Sequence, residues 1–405
     1  MNSTNDSMVF PPENGFSPTL VYILAILQII IIIAAVAGNL LVCAAICLTE
    51  SLRNTAANYF IFSLAVSDLL TAVFSMTFDV EQILLKWYWG HGSAICSLWT
   101  TAYLIMVPTS ILSLLAVSYD RYKAICDPLD KFRETRFMTR KRAALIVSCL
   151  WIYSFVFALL PTMGWRLRSD VINKNQCIFN TTVEYSLLNS TLNFYVPLFI
   201  MCVIYFRIYK IASAMNQMFE KKASISNGNT KNKTTNTRKH SGGKNMSRTS
   251  SNDGKRKLLS DREVSVNACH MKSIKRQRKK LKRNIKTAKS ILLIVCTFFF
   301  CWIPYTTISV IGMLCWPCYF YIPQEIYSIT LVMGYLNSAL NPPLYSFHNP
   351  KFREAFRRIF RMKKKVGSPQ RGSTSHSPTN ATRKISVYTG RKNSSIPTDE
   401  KTNVS

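Results

Sequence analysis

Apolar positions in this chain gather into long blocks separated by short polar stretches. Leu20 to Leu48 contains no charged residue, and further blocks cover roughly 57–78, 97–119, 142–165, 186–206, 288–314 and 321–347. Each is long enough, as a helix, to cross a hydrocarbon core about 30 Å thick. An α-helix pairs its own backbone groups, which is the condition for residing in lipid. The pattern therefore predicts an all-α membrane protein, a bundle of seven transmembrane helices at about 20–48, 56–82, 93–124, 141–165, 186–215, 284–314 and 321–347. The first block has no basic leader or cleavage site before it and reads as a span. After the seventh, "NPKFREAFRRIF" sets Phe352, Phe356, Ile359 and Phe360 on one face and Lys351, Arg353, Arg357, Arg358 and Arg361 around the rest. This predicts an amphipathic eighth helix at 349–361 lying on an anionic leaflet. No cysteine follows it, so no acyl anchor is expected.

Charge sets the orientation. The net charge of +31 would suggest nucleic acid if it covered one soluble surface, but it sits beside the spans. The segments 1–18, 83–95, 165–185 and 314–322 hold four Lys and Arg, whereas 207–286 and the tail after Phe347 hold more than thirty. Basic residues mark the cytoplasmic side. The amino-terminal segment, 1–19, is expected outside and the carboxyl tail inside a plasma membrane, which requires an odd number of crossings. Asn2, Asn5 and Asn180 begin glycosylation sequons on the outer side. Cys96, Cys177, Cys315 and Cys318 also fall there, where disulfides persist. Bridges Cys96–Cys177 and Cys315–Cys318 are expected, with metal binding by "CWPC" as the alternative. The third inner loop, 216–283, and the tail, 362–405, are too polar to bury a core and are expected to lack order, apart from "IKRQRKKLKRNIKTAKS" leading into the sixth span.

Polar side chains inside the spans are the candidate chemistry, because hydrocarbon penalises them. At about 100° per residue, Tyr103, Ser110 and Arg121 share one stripe of the third helix. Asp68 is the mid-depth charge of the second, with Asp79 outward of it in nearly the same phase. Phe298, Trp302 and Tyr305 line one side of the sixth around the helix-kinking Pro304. Asn189, Asn193 and Pro197 mark the fifth span; Asn337, Asn341, Pro342 and Tyr345 mark the seventh. No nucleophile–base pair or open metal site indicates an enzyme. No inverted repeat indicates a carrier or channel, the competing class for such a bundle.

The motifs, taken in order, resemble those of rhodopsin-like (class A) G-protein-coupled receptors. They are "GNLLV" with Asn39, "SLAVSDLL" with Asp68, Cys96 followed by "DRY", Trp151, Pro197 with Tyr205, "CWIP", and "NSALNPPLY". The resemblance covers about 20–361 outside the long loop. It implies that Arg121 is held at rest by Asp120, next to Tyr122, and is released toward a heterotrimeric G protein and toward Tyr205 and Tyr345. It implies an allosteric sodium site at Asp68, Ser110, Asn337 and Asn341. It implies a packing switch of Ile111, Pro197 and Phe298 coupled to Trp302, and a G-protein contact at Leu129. Asn341, Pro342 and Tyr345 belong to the same machinery. Arrestin and receptor kinases are implied partners, with Ser386 and Ser394 as targets. Amine receptors of the family often carry a Glu at the foot of the sixth span; Asn284 stands here, which predicts raised basal signalling.

Several features look aminergic, including Asn189, Ser190 and Asn193 on the fifth span and Thr306 beside Tyr305. The aspartate such receptors place seven residues after the third-span cysteine is Tyr103 here. Tyr335, its usual hydrogen-bond partner, is left without it. The expected function is conversion of small-molecule binding, a biogenic-amine-like transmitter, into G-protein activation. Three ligand classes stay open: a cation paired with Asp79; an uncharged or anionic molecule held by Tyr103, Tyr305, Tyr335 and Asn193; and a short peptide. Phe179, just after Cys177, is a further candidate ligand-binding residue.

Overall fold

A computed structural model describes residues 17–126, 138–173, 175–237, 253–315, 318 and 322–366. Leu129, Asn2, Asn5, Ser386 and Ser394 lie outside the described residues. The helices are α1 (Pro18–Leu48), α2 (Ala57–Leu84), α3 (Gly92–Cys126) and α4 (Arg140–Leu159). Next come α5 (Val183–Ser190, Thr191–Tyr195 and Val196–Thr237), α6 (Asp253–Leu314), α7 (Gln324–His348) and α8 (Pro350–Val366). Six of the described helices are long and apolar enough to span a membrane by composition alone. α7 is more polar, yet it packs along α1 and α6 as the seventh member of the bundle.

Unlike that of a water-soluble protein, the surface of the bundle is apolar, and several polar side chains lie inside. Tyr22, Ile23, Ile26 and Ile33 of α1 point outward, while Gln28 and Asn39 are fully buried. Lipid tails welcome apolar surface, so the helices associate through packing and polar contacts instead. Asn39 donates to the Ser338 carbonyl at 3.0 Å, joining α1 to α7. Ser63 and Ser113 hydroxyls meet at 3.0 Å, and the Trp151 indole donates to Ser63 at 3.0 Å, tying α2, α3 and α4. Small residues allow close approach: a Cβ on Gly38 would lie 2.8 Å from the Pro342 ring. α3 is central, touching α2, α4, α5 and α6.

At one end a short hairpin, β1 (Ile172–Asn173) with β2 (Gln176–Cys177), lies over the bundle. Cys177 is disulfide-bonded to Cys96 of α3, and Cys315 to Cys318 beyond α6. At the other end Phe352 of α8 is buried and stacks on Tyr345 at 5.7 Å, while Phe360 stays exposed.

Three local features depart from the sequence expectations. α4 stops at Leu159 rather than 165, because Pro161 disfavours helix before it and Gly164 takes φ +135°. α5 continues to Thr237 and α6 begins at Asp253, within the stretch expected to lack order. Lys, Arg, Gln and Leu favour helix in the α6 extension, whereas nothing in the Asn-, Ser- and Thr-rich end of α5 does. Two π-helical turns, Thr71–Met76 in α2 and Thr191–Tyr195 in α5, are announced by nothing in the sequence.

Candidate functional site

Three polar clusters follow one another from the hairpin end of the bundle to the α8 end. The outermost borders a cavity of about 930 Å³, floored by Trp302 and walled by Tyr103, Phe179, Asn189, Asn193 and Tyr305. Ser190, Thr306 and Tyr327 also line it. Phe179, carried over the site by the Cys96–Cys177 bridge, meets Tyr103 edge-on at 5.2 Å. Tyr103 in turn approaches Trp302 at 6.5 Å, and Tyr305 and Tyr327 share a hydroxyl contact of 2.9 Å. On the fifth-helix side, Asn193 accepts from Tyr153 at 2.9 Å and donates to Asn189 at 2.9 Å. Gly334 gives Trp302 its place, since a Cβ there would lie 3.0 Å from the indole ring.

Asp79 does not line this cavity. It is 5% exposed and accepts a hydrogen bond from the Tyr335 hydroxyl. Asp68 and Asp79 both bond to α7, on either side of the π turn at Thr71–Met76. Tyr335, expected to lack a partner, has found one on α2.

The middle cluster surrounds Asp68, which is 1% exposed. Its Oδ1 accepts from Ser338 at 3.0 Å and marginally from Ser110 at 3.5 Å, and its Oδ2 accepts from Asn341 at 2.7 Å. Ser67 extends the set through Ser110 at 2.8 Å. The Oδ1 atoms of Asn337 and Asn341 are buried without a hydrogen-bond partner. A carboxylate with hydroxyl and amide oxygens, some unpaired, is the donor set a hard monovalent cation prefers.

At the α8 end of the bundle, Arg121 donates from Nε to Asp120 at 3.0 Å and again from its Nη2. Tyr205 contacts Ser118 through its hydroxyl at 3.2 Å. The Tyr345 hydroxyl is buried and unpaired. Asn284 of α6 donates to the Ala124 carbonyl of α3 at 2.8 Å, a neutral link where an ion pair is absent. Between the outer and inner clusters, Trp302 stacks on Phe298 at 6.2 Å, and Phe298 and Ile111 belong to one buried core with Tyr205. Pro197 falls in α5, directly after the π turn.

Residues 38–345 match the family model described as 7 transmembrane receptor (rhodopsin family). The chain belongs to the rhodopsin family of seven-transmembrane receptors. The octopamine receptor beta-2R of Drosophila melanogaster is 31% identical over 353 residues, which cover 85% of this receptor and 62% of the fly protein. The 5-hydroxytryptamine receptor 1A of Xenopus laevis is 30% identical over 370 residues, covering 82% and 89%. The 5-hydroxytryptamine receptor 1F of Cavia porcellus is 32% identical over 339 residues, covering 80% and 88%.

Within this rhodopsin-family receptor the structure also corrects one sequon. Asn180 is 8% exposed, its Oδ1 accepts from the Leu167 and Arg168 amides, and its Nδ2 donates to the Arg168 and Asp170 carbonyls. The nitrogen a glycan would occupy is committed inside the outer loop. Ser338, Ser67, Tyr327 and Gly334 joined the site only in three dimensions. Ser338 carried a usable signal, lying on the α7 stretch between Asn337 and Asn341.

Proposed function

We propose that this receptor binds a small amine-like molecule in the outer cavity and couples that event to a heterotrimeric G protein at the inner ends of α3, α5 and α6. The observation carrying the reading is continuity. One buried core links Trp302 under the cavity, through Phe298 and Ile111, to Tyr205 beside Arg121. A ligand that moves Trp302 therefore repacks the floor on which the inner helices rest, and packed cores change by discrete steps. Excess basic charge around 207–286 and after Phe347 sets the inner side, so the cavity opens outward. A cation filling the Asp68 cluster would hold the bundle in its resting packing.

The ammonium group is held by ring faces, Tyr103, Trp302 and Tyr305, which attract cations through their quadrupoles. Asp79 adds its charge from behind Tyr335. A unit charge acting across one intervening side chain, at an effective dielectric constant of about 20, contributes on the order of 2 kcal/mol. Asp79→Asn is thus expected to weaken responses to aromatic monoamines by about thirtyfold, measured as second-messenger dose–response curves. Unchanged potency removes Asp79 from ligand recognition.

Asn284 sets the resting level. Its amide bond to Ala124 is a neutral contact worth about 1 kcal/mol, against about 1.5–3 kcal/mol for a hydrogen bond to a charged group. Signalling without ligand is expected to be raised and to fall several-fold in Asn284→Glu, where a carboxylate reaches toward Arg121. Equal, low baselines in both proteins would contradict this.

A further inference from the structure

Aromatic rings border the outer cavity in unbroken contact. Phe179 meets Tyr103 at 5.2 Å, and Tyr103 meets Trp302 at 6.5 Å. Trp302 meets Tyr305 edge-on at 5.9 Å, and Tyr305 meets Tyr327 at 5.2 Å. Tyr103 and Tyr305 close the group around Trp302, because their hydroxyls adjoin. α3, α6, α7 and the outer loop thus bring their rings to one place. Hydrogen-bond acceptors around the rings are mostly engaged. The Thr306 and Ser309 hydroxyls are turned back onto the Trp302 and Tyr305 carbonyls of their own helix, each at 2.9 Å. On the fifth-helix side, Asn193 Oδ1 already accepts from Tyr153, and Asn189 Oδ1 from Asn193. No carboxylate lines the cavity among the described residues. Asp79 is bonded to Tyr335, yet near enough for its charge to act on the Tyr103 and Tyr305 phenols. Lys86 and Arg168, the charged residues of the lining, belong to the connections between helices and not to the helices that carry the rings.

We propose that the cavity selects a quaternary trimethylammonium group over a primary amine, with Tyr103, Trp302 and Tyr305 as the walls that receive it. This rests on the reading of the cavity as an amine site and names which amines it takes. A primary ammonium carries three N–H donors and is tightly hydrated, so its transfer from water is offset only where acceptors, a carboxylate above all, replace that water. Ring faces attract the charge but accept N–H groups weakly. A quaternary ammonium has no N–H to satisfy. Its methyl groups spread the charge over an apolar surface that packs against several rings at once, which is the recurrent use of cation–π attraction in recognition. The Asp79 charge, screened from contact by Tyr335, supplies the attraction that needs no hydrogen bond. Tyr103 is the decisive member. It stands where the amine receptors this chain resembles carry an aspartate, so a ring face replaces the acceptor that a primary ammonium needs.

The test is a matched panel on the full-length receptor in membranes: tyramine and tryptamine, the N,N,N-trimethyl derivative of each, and the neutral analogue of each derivative with carbon in place of nitrogen. Wild type is compared with Tyr103→Phe, Tyr103→Leu, Tyr103→Asp and Trp302→Ala, each checked for surface expression. In at least one series the trimethylammonium compound is expected to bind about tenfold more tightly than both the primary amine and the neutral analogue. Tyr103→Phe, which keeps the ring, should retain most of that preference. Tyr103→Leu should remove it, and Tyr103→Asp should reverse it in favour of the primary amine. A primary amine that binds wild type as tightly as its trimethyl derivative, a neutral analogue that matches the cation, or a preference that survives Tyr103→Leu overturns the proposal. Primary-amine binding that is lost in Trp302→Ala leaves the cavity as the amine site and rejects only the selection for methylation. Absence of binding by every compound, or binding indifferent to both positions, rejects both readings.

Discussion

Arg121→Ala is expected to leave ligand binding in place while reducing ligand-driven nucleotide exchange by about a hundredfold, the upper end of coupling free energies of about 3 kcal/mol. The geometry gives the reason. Arg121 is paired with its neighbour Asp120 and with no acid on another helix among the described residues. Two tyrosine hydroxyls offer other partners in the bundle: Tyr205 beside the arginine, on a 3.2 Å contact with Ser118, and Tyr345, buried with no hydrogen bond. A buried hydroxyl without a hydrogen bond costs about 1–3 kcal/mol, so a packing in which a guanidinium reaches it recovers that penalty. The arginine thus has two alternative sets of partners, which is what a two-state element requires. Alanine has neither. Binding at Trp302, at the far end of the core, should be largely insensitive to the change. Exchange measured with purified heterotrimer separates the two effects, and undiminished exchange by the variant would remove Arg121 from the mechanism.

Loss of the Cys96–Cys177 bridge should be more severe still, at the other end. The Cys96–Cys177 pair closes a loop with a sequence separation of 81 residues and holds Phe179 over Tyr103. By the loop-entropy argument such a closure is worth about 4.5 kcal/mol, or about a thousandfold in the balance between ordered and open outer loop. Cys96→Ser and Cys177→Ser are therefore each expected to abolish high-affinity ligand binding and to reduce surface expression strongly. The double variant should be no worse than either single one, because the two sulfurs act as one unit. Reductant added to wild type in membranes should reproduce the binding loss. Retained binding in the single variants would show that the hairpin orders itself without the bridge.

The seven spans were legible in the sequence because lipid imposes a coarse demand, apolar length, that composition states directly. The polar residues within them were legible for the complementary reason: Asp68, Asn341 and Arg121 are costly in hydrocarbon and stand out. Hidden were features that depend on how helices meet. The π turn at Thr71–Met76 is made from small and apolar residues that would equally form an α-helix, so it leaves no trace in the residue pattern. Ser338 reaches Asp68 only because α7 lies where it does. Asn284 reads as the absence of a carboxylate until the foot of α6 is seen to approach Ala124 closely enough for its amide to donate. The end of α4 was there to be read in Pro161 and Gly164, and an apolar run past them obscured it.

Coupling between the outer cavity and Arg121 must be reciprocal if one equilibrium joins them, since a ligand that favours G-protein binding is itself bound more tightly when the G protein is present. The decisive measurement is ligand affinity in reconstituted receptor, with and without nucleotide-free heterotrimer, for wild type and Arg121→Ala. Affinity is expected to be about 5–150-fold tighter with heterotrimer in wild type, reversed by added guanine nucleotide, with no shift in Arg121→Ala. Identical affinities with and without heterotrimer in wild type, or an undiminished shift in the variant, would contradict it.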